Sequence, residues 1–261
     1  MESLLQRTRY ELKYLVTEEV AAGVREYARH YLRPDPFADE KKGYSYPIYS
    51  VYLDSVRLDL LKATVEGHKN RFKLRARYYD DNPGHPIFFE IKRRVNGAIL
   101  KERAKVRRSE AARLLAGAWP ERSDLENEAN SHDYAALRRF CELRDKLAAK
   151  PRCVVAYNRE AWLTPDNNSA RLTVDRELEG GPYDPNFGIQ RTPEWVRPPI
   201  GGVVLEMKFT DRFPNWMRDM TNLFGLQRCS MAKYVKCVHS MEPWRREEEA
   251  RMAREARLAA L

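Results

Sequence analysis

The chain has 261 residues, of which 43% are hydrophobic and 33% charged, so it carries enough apolar material for a real core despite its polarity. No apolar run approaches the roughly 20 residues needed to cross a bilayer, and the opening MESLLQRTRYELKY lacks the apolar core of a signal peptide. The net charge of +9 predicts a polyanionic partner without choosing among nucleic acid, anionic lipid and phosphate-rich small molecules. Cys141, Cys153, Cys229 and Cys237 form no CxxC pair, which leads us to expect reduced thiols and a cytoplasmic location.

In chain order, residues 7–16 alternate and read as a strand. Residues 17–32 have helical spacing, with Thr17 as N-cap ahead of Glu18 and Glu19. Residues 33–47 read as a loop and 48–54 as a strand, after which Asp54 or Ser55 caps a short helix through Ala63. Strands follow at 69–79, 86–95 and 99–107, the last two joined by the hairpin signal Asn96-Gly97. Residues 109–118 and 133–149 read as helices. Strands resume at 152–163 and 170–178 across the turn residues PDNNS, and a Pro/Gly-rich loop covers 180–201. A strand at 202–209, a helix at 213–224 and a short final strand at 232–238 complete the pattern, before an Arg/Glu/Ala-rich helical tail from Pro243.

About eight strands with flanking helices predict an α+β protein built on an eight-stranded closed antiparallel β-barrel. No linker divides it, so the expected organisation is one domain over 1–240 and a charged helix over 241–261.

Side chains at i, i+2 and i+4 of a strand share a face. Arg7, Arg9, Glu11 and Lys13 line up opposite Tyr10, Leu12 and Tyr14. Arg71, Lys73, Arg75 and Arg77 share a face, as do Glu90, Lys92 and Arg94, and Lys101, Arg103, Lys105 and Arg107. Arg159 goes with Tyr157, Arg171 with Asp175, and Glu206 with Lys208. One such strand is simply a wet sheet face. Repeated on seven strands and turned inward, these faces concentrate positive charge that only a polyanion, a metal or counter-charges can offset. Arginine forks and mobile lysines match phosphate oxygens, and a few carboxylates (Glu11, Glu90 and Glu206) suit Mg²⁺ or Mn²⁺. No P-loop, GxGxxG or HExxH motif competes, and the five histidines are scattered.

The segments RYELKYLV (9–16), YSVYLDS (49–55), KLRARYY (73–79), FFEIKRR (88–94), AYNREAW (156–162), RLTVDREL (171–178), VVLEMKF (203–209) and AKYVKC (232–237) together resemble the VTC domain. That family is the polyphosphate polymerase branch of the triphosphate tunnel metalloenzymes, or CYTH-like superfamily. The resemblance implies an eight-stranded tunnel that moves the γ-phosphate of ATP onto inorganic polyphosphate with Mn²⁺ or Mg²⁺. It implies Lys13, Arg75, Arg77, Lys92, Arg159 and Arg171 as phosphate ligands, Lys101 and Lys105 as further members of the basic set, and Glu206 as metal ligand beside Lys208. Glu11 is the second metal candidate, and Lys233 matches the lysine of the family's final strand. Two departures stand out. A single glutamate precedes Lys13 where triphosphatase branches carry two, which tilts away from water activation, and Ala232 replaces the usual serine before Lys233. The chain looks like an isolated catalytic module of a bacterial kind, with ATP and polyphosphate as partners, no nucleic acid and no membrane insertion expected, and room for an unidentified protein partner. A tunnel triphosphatase and a non-catalytic polyphosphate-binding module remain the alternatives.

Overall fold

The computed structural model describes residues 9–165, 169–186 and 191–241; Arg7, the middle of the PDNNS turn and the tail from Pro243 lie outside them. One antiparallel sheet holds β1 (Arg9–Val16), β2 (Arg33–Pro34), β3 (Ser45–Asp54), β4 (Asn70–Tyr78), β5 (Ile87–Val95), β6 (Ala98–Val106), β7 (Lys150–Leu163), β8 (Ala170–Pro182) and β9 (Val203–Thr210). Its order is β2-β7-β3-β4-β5-β6-β1-β9-β8, and β8 also pairs with β7. The β7–β8 pairing is long, from Cys153↔Pro182 to Leu163↔Arg171, whereas β1 and β6 meet only at Arg9↔Ile99. Among the described residues, six α-helices flank the sheet: α1 (Glu18–Ala28), α2 (Asp59–Val65), α3 (Arg108–Leu115), α4 (Ser131–Lys146), α5 (Asn215–Leu223) and α6 (Lys233–Ser240).

Local chemistry explains most boundaries. The Thr17 hydroxyl accepts from the backbone N–H of Val20, capping α1, with Glu18 and Glu19 in its first turn. Asn96 and Gly97 both adopt positive φ, as a two-residue hairpin between twisted strands requires. Asp54 and Ser55 both cap α2: the buried Asp54 carboxylate accepts from the N–H groups of Leu60 and Leu61, and the Ser55 hydroxyl from that of Asp59. The loop expected over 33–47 is shorter than read, because β3 begins at Ser45 and β2 intervenes.

The apolar faces are covered by helices. Leu74, Phe89, Ile91 and Val106 pack with Leu114 of α3 and Leu137 and Phe140 of α4. On the other side Tyr14, Leu172, Leu205 and Met207 pack with Val24 of α1 and Met217 and Met220 of α5. A third cluster lies on the opposite sheet face, the one that carries the charged rows. There Ile48, Tyr52, Val155, Tyr157 and Leu178 meet Tyr234, Cys237 and Val238 of α6.

This third cluster corrects one expectation. Residues 232–238 are not a final strand: Lys233–Ser240 form α6. Tyr234, Cys237, Val238 and Met241 recur at helical spacing and all are buried, and that period prevails over the β propensity of Val235 and Val238. A bulge in β8 prepares the surface α6 covers. Ala156 pairs with Glu179 but Asn158 with Arg176, so β8 carries one extra residue there, with Glu177 at a φ of 53°. Beyond it the parity flips, and Leu178 turns inward where alternation alone would place Glu177. Among the described residues, no helix is long and apolar enough to cross a membrane.

Candidate functional site: a cation-lined cavity

The charged rows converge. A cavity of about 550 Å³ is lined by Glu11 and Lys13 of β1, Arg71, Lys73, Arg75 and Arg77 of β4, Lys92 and Arg94 of β5, Tyr157 and Arg159 of β7, and Glu206 and Lys208 of β9. Arg228 from the loop after α5 and Lys233 from the first turn of α6 complete it. Register brings these groups together. Lys13 faces Glu206 across β1–β9, Glu11 faces Lys208, Lys73 faces Lys92 across β4–β5, and Arg159 faces Asp175 across β7–β8.

Glu206 is the hub. One carboxylate oxygen accepts from Lys13 and, at 2.9 Å, from Lys233; the other accepts from Lys208 at 2.8 Å and lies 3.4 Å from Arg159. Burial opposes ionisation of this carboxylate, but Lys13, Lys208, Lys233 and Arg159 outweigh it and hold it well below the usual range. Glu11 is held down in the same way, against its own burial, by Lys13 at 2.8 Å and Lys92 at 2.9 Å. Behind the wall, Asp175 takes both prongs of Arg159 at 2.6 and 2.7 Å and Lys233 at 2.5 Å. Glu90 likewise accepts from Arg75 at 2.6 and 2.8 Å.

The remaining cations are left short of counter-charge. Lys73 makes no ion pair or hydrogen bond among the described residues, and burial pushes its ammonium down to about 7, with Lys92, Lys13, Arg75 and Arg71 adding repulsion. Burial also pushes Lys208 down to about 7, against the pull of Glu206. Arg77 is held by neutral groups, the Ser50 hydroxyl at 3.1 Å and the Tyr157 hydroxyl at 3.2 Å. Lysines and arginines outnumber Glu11 and Glu206 of the lining together with Asp175 and Glu90 behind it, so the lumen keeps a surplus of positive charge that favours an anion.

The structure therefore gathers Lys13, Arg75, Arg77, Lys92, Arg159, Lys208, Lys233, Glu11 and Glu206 around one cavity. It leaves three candidates outside the lining. Lys101 is exposed and reaches back to Glu90 at 3.5 Å, and Lys105 is exposed. Arg171 is bound by Asp35 at 2.6 Å and the Tyr46 hydroxyl at 3.1 Å. Lys233 arrives from a helix rather than a strand. The sequence pattern assigns no role to Lys73 or Asp175, although parity places both on charged faces; Arg228 sits in a loop with no periodic signal. Among the described residues, no group of three or more His, Cys, Asp or Glu is placed to hold a metal ion. The hard oxygens of Glu206 and Glu11, bracketing Lys13, fit Mg²⁺ or Mn²⁺ as a partial donor set that phosphate oxygens and water would complete.

The profile of the VTC domain family matches residues 8–242. A search of curated proteins finds no match. Among solved structures the chain is similar to a putative adenylate cyclase from Bacillus halodurans, at 14% identity over 87% of this chain and 94% of that one, with a TM-score of 0.48. It is also similar to a putative adenylyl cyclase from Hippeastrum described as having a dominant triphosphatase activity, at 12% identity, 87% and 93% coverage and a TM-score of 0.47.

Proposed function

This chain belongs to the VTC domain family, and from that premise we propose that its sheet closes into a tunnel in which a phosphoryl group passes from ATP to inorganic polyphosphate. The observation that carries the reading is the convergence of Lys13, Arg75, Arg77, Lys92, Arg159 and Lys233 on one cavity whose carboxylates cannot neutralise them. A triphosphate supplies that missing charge. Arg75, Arg77 and Arg159 are anchored by Glu90, Ser50, Tyr157 and Asp175, so their forks are fixed before substrate arrives. Lys13, Lys92 and Lys208 are the mobile charges that leave Glu206 and Glu11 for phosphate oxygens, while Lys233 stays fixed between Glu206 and Asp175.

In the step itself, an oxygen of the polyphosphate terminus attacks the γ-phosphorus, the bond from γ-phosphorus to the β-bridging oxygen breaks, and ADP departs with the negative charge. Such a transfer needs positioning and charge stabilisation rather than a protein nucleophile. A divalent metal held through Glu206 and Glu11 would add charge neutralisation on the phosphates. A single glutamate precedes Lys13 where triphosphatase branches carry two, which leaves fewer carboxylates to activate water and favours transfer over hydrolysis.

The test is incubation of the purified chain with ATP and Mn²⁺. ADP together with a polyphosphate ladder on a gel supports the proposal. Orthophosphate without polymer makes the chain a triphosphatase, and saturable polyphosphate binding without turnover makes it a binding module.

A further inference from the structure

Next to the cavity, outside the lining, five side chains form a continuous row. Arg171 donates to the Tyr46 hydroxyl at 3.1 Å. The Tyr46 ring lies 6.2 Å from that of Tyr79, and Tyr79 meets Phe88 edge-on at 5.8 Å. The Arg103 guanidinium sits 3.5 Å over the Phe88 centroid. All three rings are half-exposed. The row touches the cation-lined cavity at two points: Phe88 is the cross-strand partner of Arg77, and Arg171 that of Lys208, both of which line the cavity.

Two features separate this row from an ordinary apolar rim. At one end of the row the Arg171 Nε is buried without a hydrogen-bond partner, while at the other the Arg103 Nε lies 3.5 Å from the Glu90 carboxylate. A buried donor left unsatisfied is costly unless something supplies an acceptor. The three π faces between them, with a guanidinium already stacked on one, offer a surface suited to a flat, electron-poor ring that carries acceptor atoms.

We propose that this arginine-capped aromatic row binds the nucleobase of the phosphoryl donor, so that the base stacks among Tyr46, Tyr79 and Phe88 while the phosphates occupy the cavity. The unsatisfied Nε donor of Arg171 meets a ring or ribose acceptor of the nucleoside. The inference rests on the nucleotide-donor reading above and goes beyond it by dividing donor recognition between two sets of residues. Base-free polyphosphate would use only the cavity.

The experiment compares ATP with tripolyphosphate, which has the phosphates and no base. Calorimetric affinities are measured for the wild type and for a Tyr79→Leu, Phe88→Leu double variant, which keeps apolar bulk and removes two π faces. We expect ATP affinity to fall about tenfold while tripolyphosphate affinity stays within twofold. A parallel fall for both ligands, or no change for either, overturns the base site and leaves the phosphate reading standing. If neither ATP nor tripolyphosphate binds the wild type, both readings fall. A second measurement needs no variant: 2-aminopurine riboside triphosphate should lose fluorescence on binding the wild-type protein, as a stacked base does. Binding with unquenched fluorescence excludes stacking on the row.

Discussion

The cation-lined cavity and the pocket filled by α6 occupy the same face of the same sheet, and they are stabilised in opposite ways. Around α6, Tyr52, Tyr157 and Leu178 meet Tyr234, Cys237 and Val238, and the buried polar atom among them, the Asp54 carboxylate, is satisfied by the Tyr234 hydroxyl and three backbone N–H groups. In the cavity, Lys73 has no partner among the described residues and Glu206 is shared by four cations. One region is complete without a ligand and serves stability. The other is incomplete and awaits charge. Tyr52, Tyr157 and Met231 belong to both, so the boundary between them is a single layer of two phenols and a thioether.

The change that separates the regions most sharply is Glu206→Gln, which keeps shape and removes the charge at the hub. Turnover with ATP should fall by at least about a hundredfold. The ligand-free protein should lose about 3–5 kcal/mol, because buried cations lose their counter-ion. Tripolyphosphate should recover much of that stability in urea denaturation, since it binds only the folded state. Wild-type stability and turnover in this variant would show that the cavity is not organised by Glu206. Arg75→Ala comes next. Loss of a fixed fork should weaken tripolyphosphate binding by about 1.5–3 kcal/mol, or roughly ten- to a hundredfold, read by calorimetry.

These two regions were not equally legible in the sequence. The cationic rows of β4, β5 and β9 follow from strict alternation, which needs only the strand period, and the resemblance to the VTC domain picks Arg75, Arg77, Lys92, Glu206 and Lys208 out of them. What alternation cannot supply is a change of parity. The extra residue at Glu177 turns Leu178 inward, and nothing local to RLTVDREL announces it. Nor can it supply register: Asp175 becomes the partner of Arg159 and Lys233 only once β7, β8 and α6 are placed. The α6 segment was misread because a run as short as AKYVKC fits either period, and the buried Met241 that settles it lies beyond the motif. Lys101, Lys105 and Arg171 keep the right parity yet sit outside the lining, since parity fixes a face and not a depth.

A gentler change tests whether the two regions are coupled. Tyr234→Phe removes the hydroxyl that donates to buried Asp54 and leaves the ring stacked on Tyr52 at 4.7 Å. Stability should drop by about 1–3 kcal/mol, as for a buried acceptor that loses a partner. Tripolyphosphate affinity should stay within twofold, because Lys233 keeps its contacts with Glu206 and Asp175. A comparable loss of phosphate affinity would mean that the α6 packing sets the position of Lys233, and the two regions would then count as one device.

The smallest expected effect comes from protons. Lys73 and Lys208 are both pushed down to about 7, by burial first and then, for Lys73, by Lys92, Lys13, Arg75 and Arg71; for Lys208, Glu206 and Glu11 oppose the burial while Arg159 and Lys92 add to it. Between about 7 and the ordinary lysine value, the unfolded chain binds protons that the empty folded protein does not. Stability of the ligand-free protein should therefore rise with pH across that window. A bound polyanion reverses the balance by favouring the ammonium form, so binding takes up protons and affinity falls as pH rises above 7. Calorimetry of tripolyphosphate at pH 7.5, in two buffers of different ionisation enthalpy, counts the protons taken up. The ligand's own titration is common to every variant, and arginine does not deprotonate. A Lys73→Arg, Lys208→Arg double variant should thus take up fewer protons than the wild type. Equal uptake in the two proteins would show that these lysines are already charged in the empty cavity, and that its charge deficit is larger than the one described.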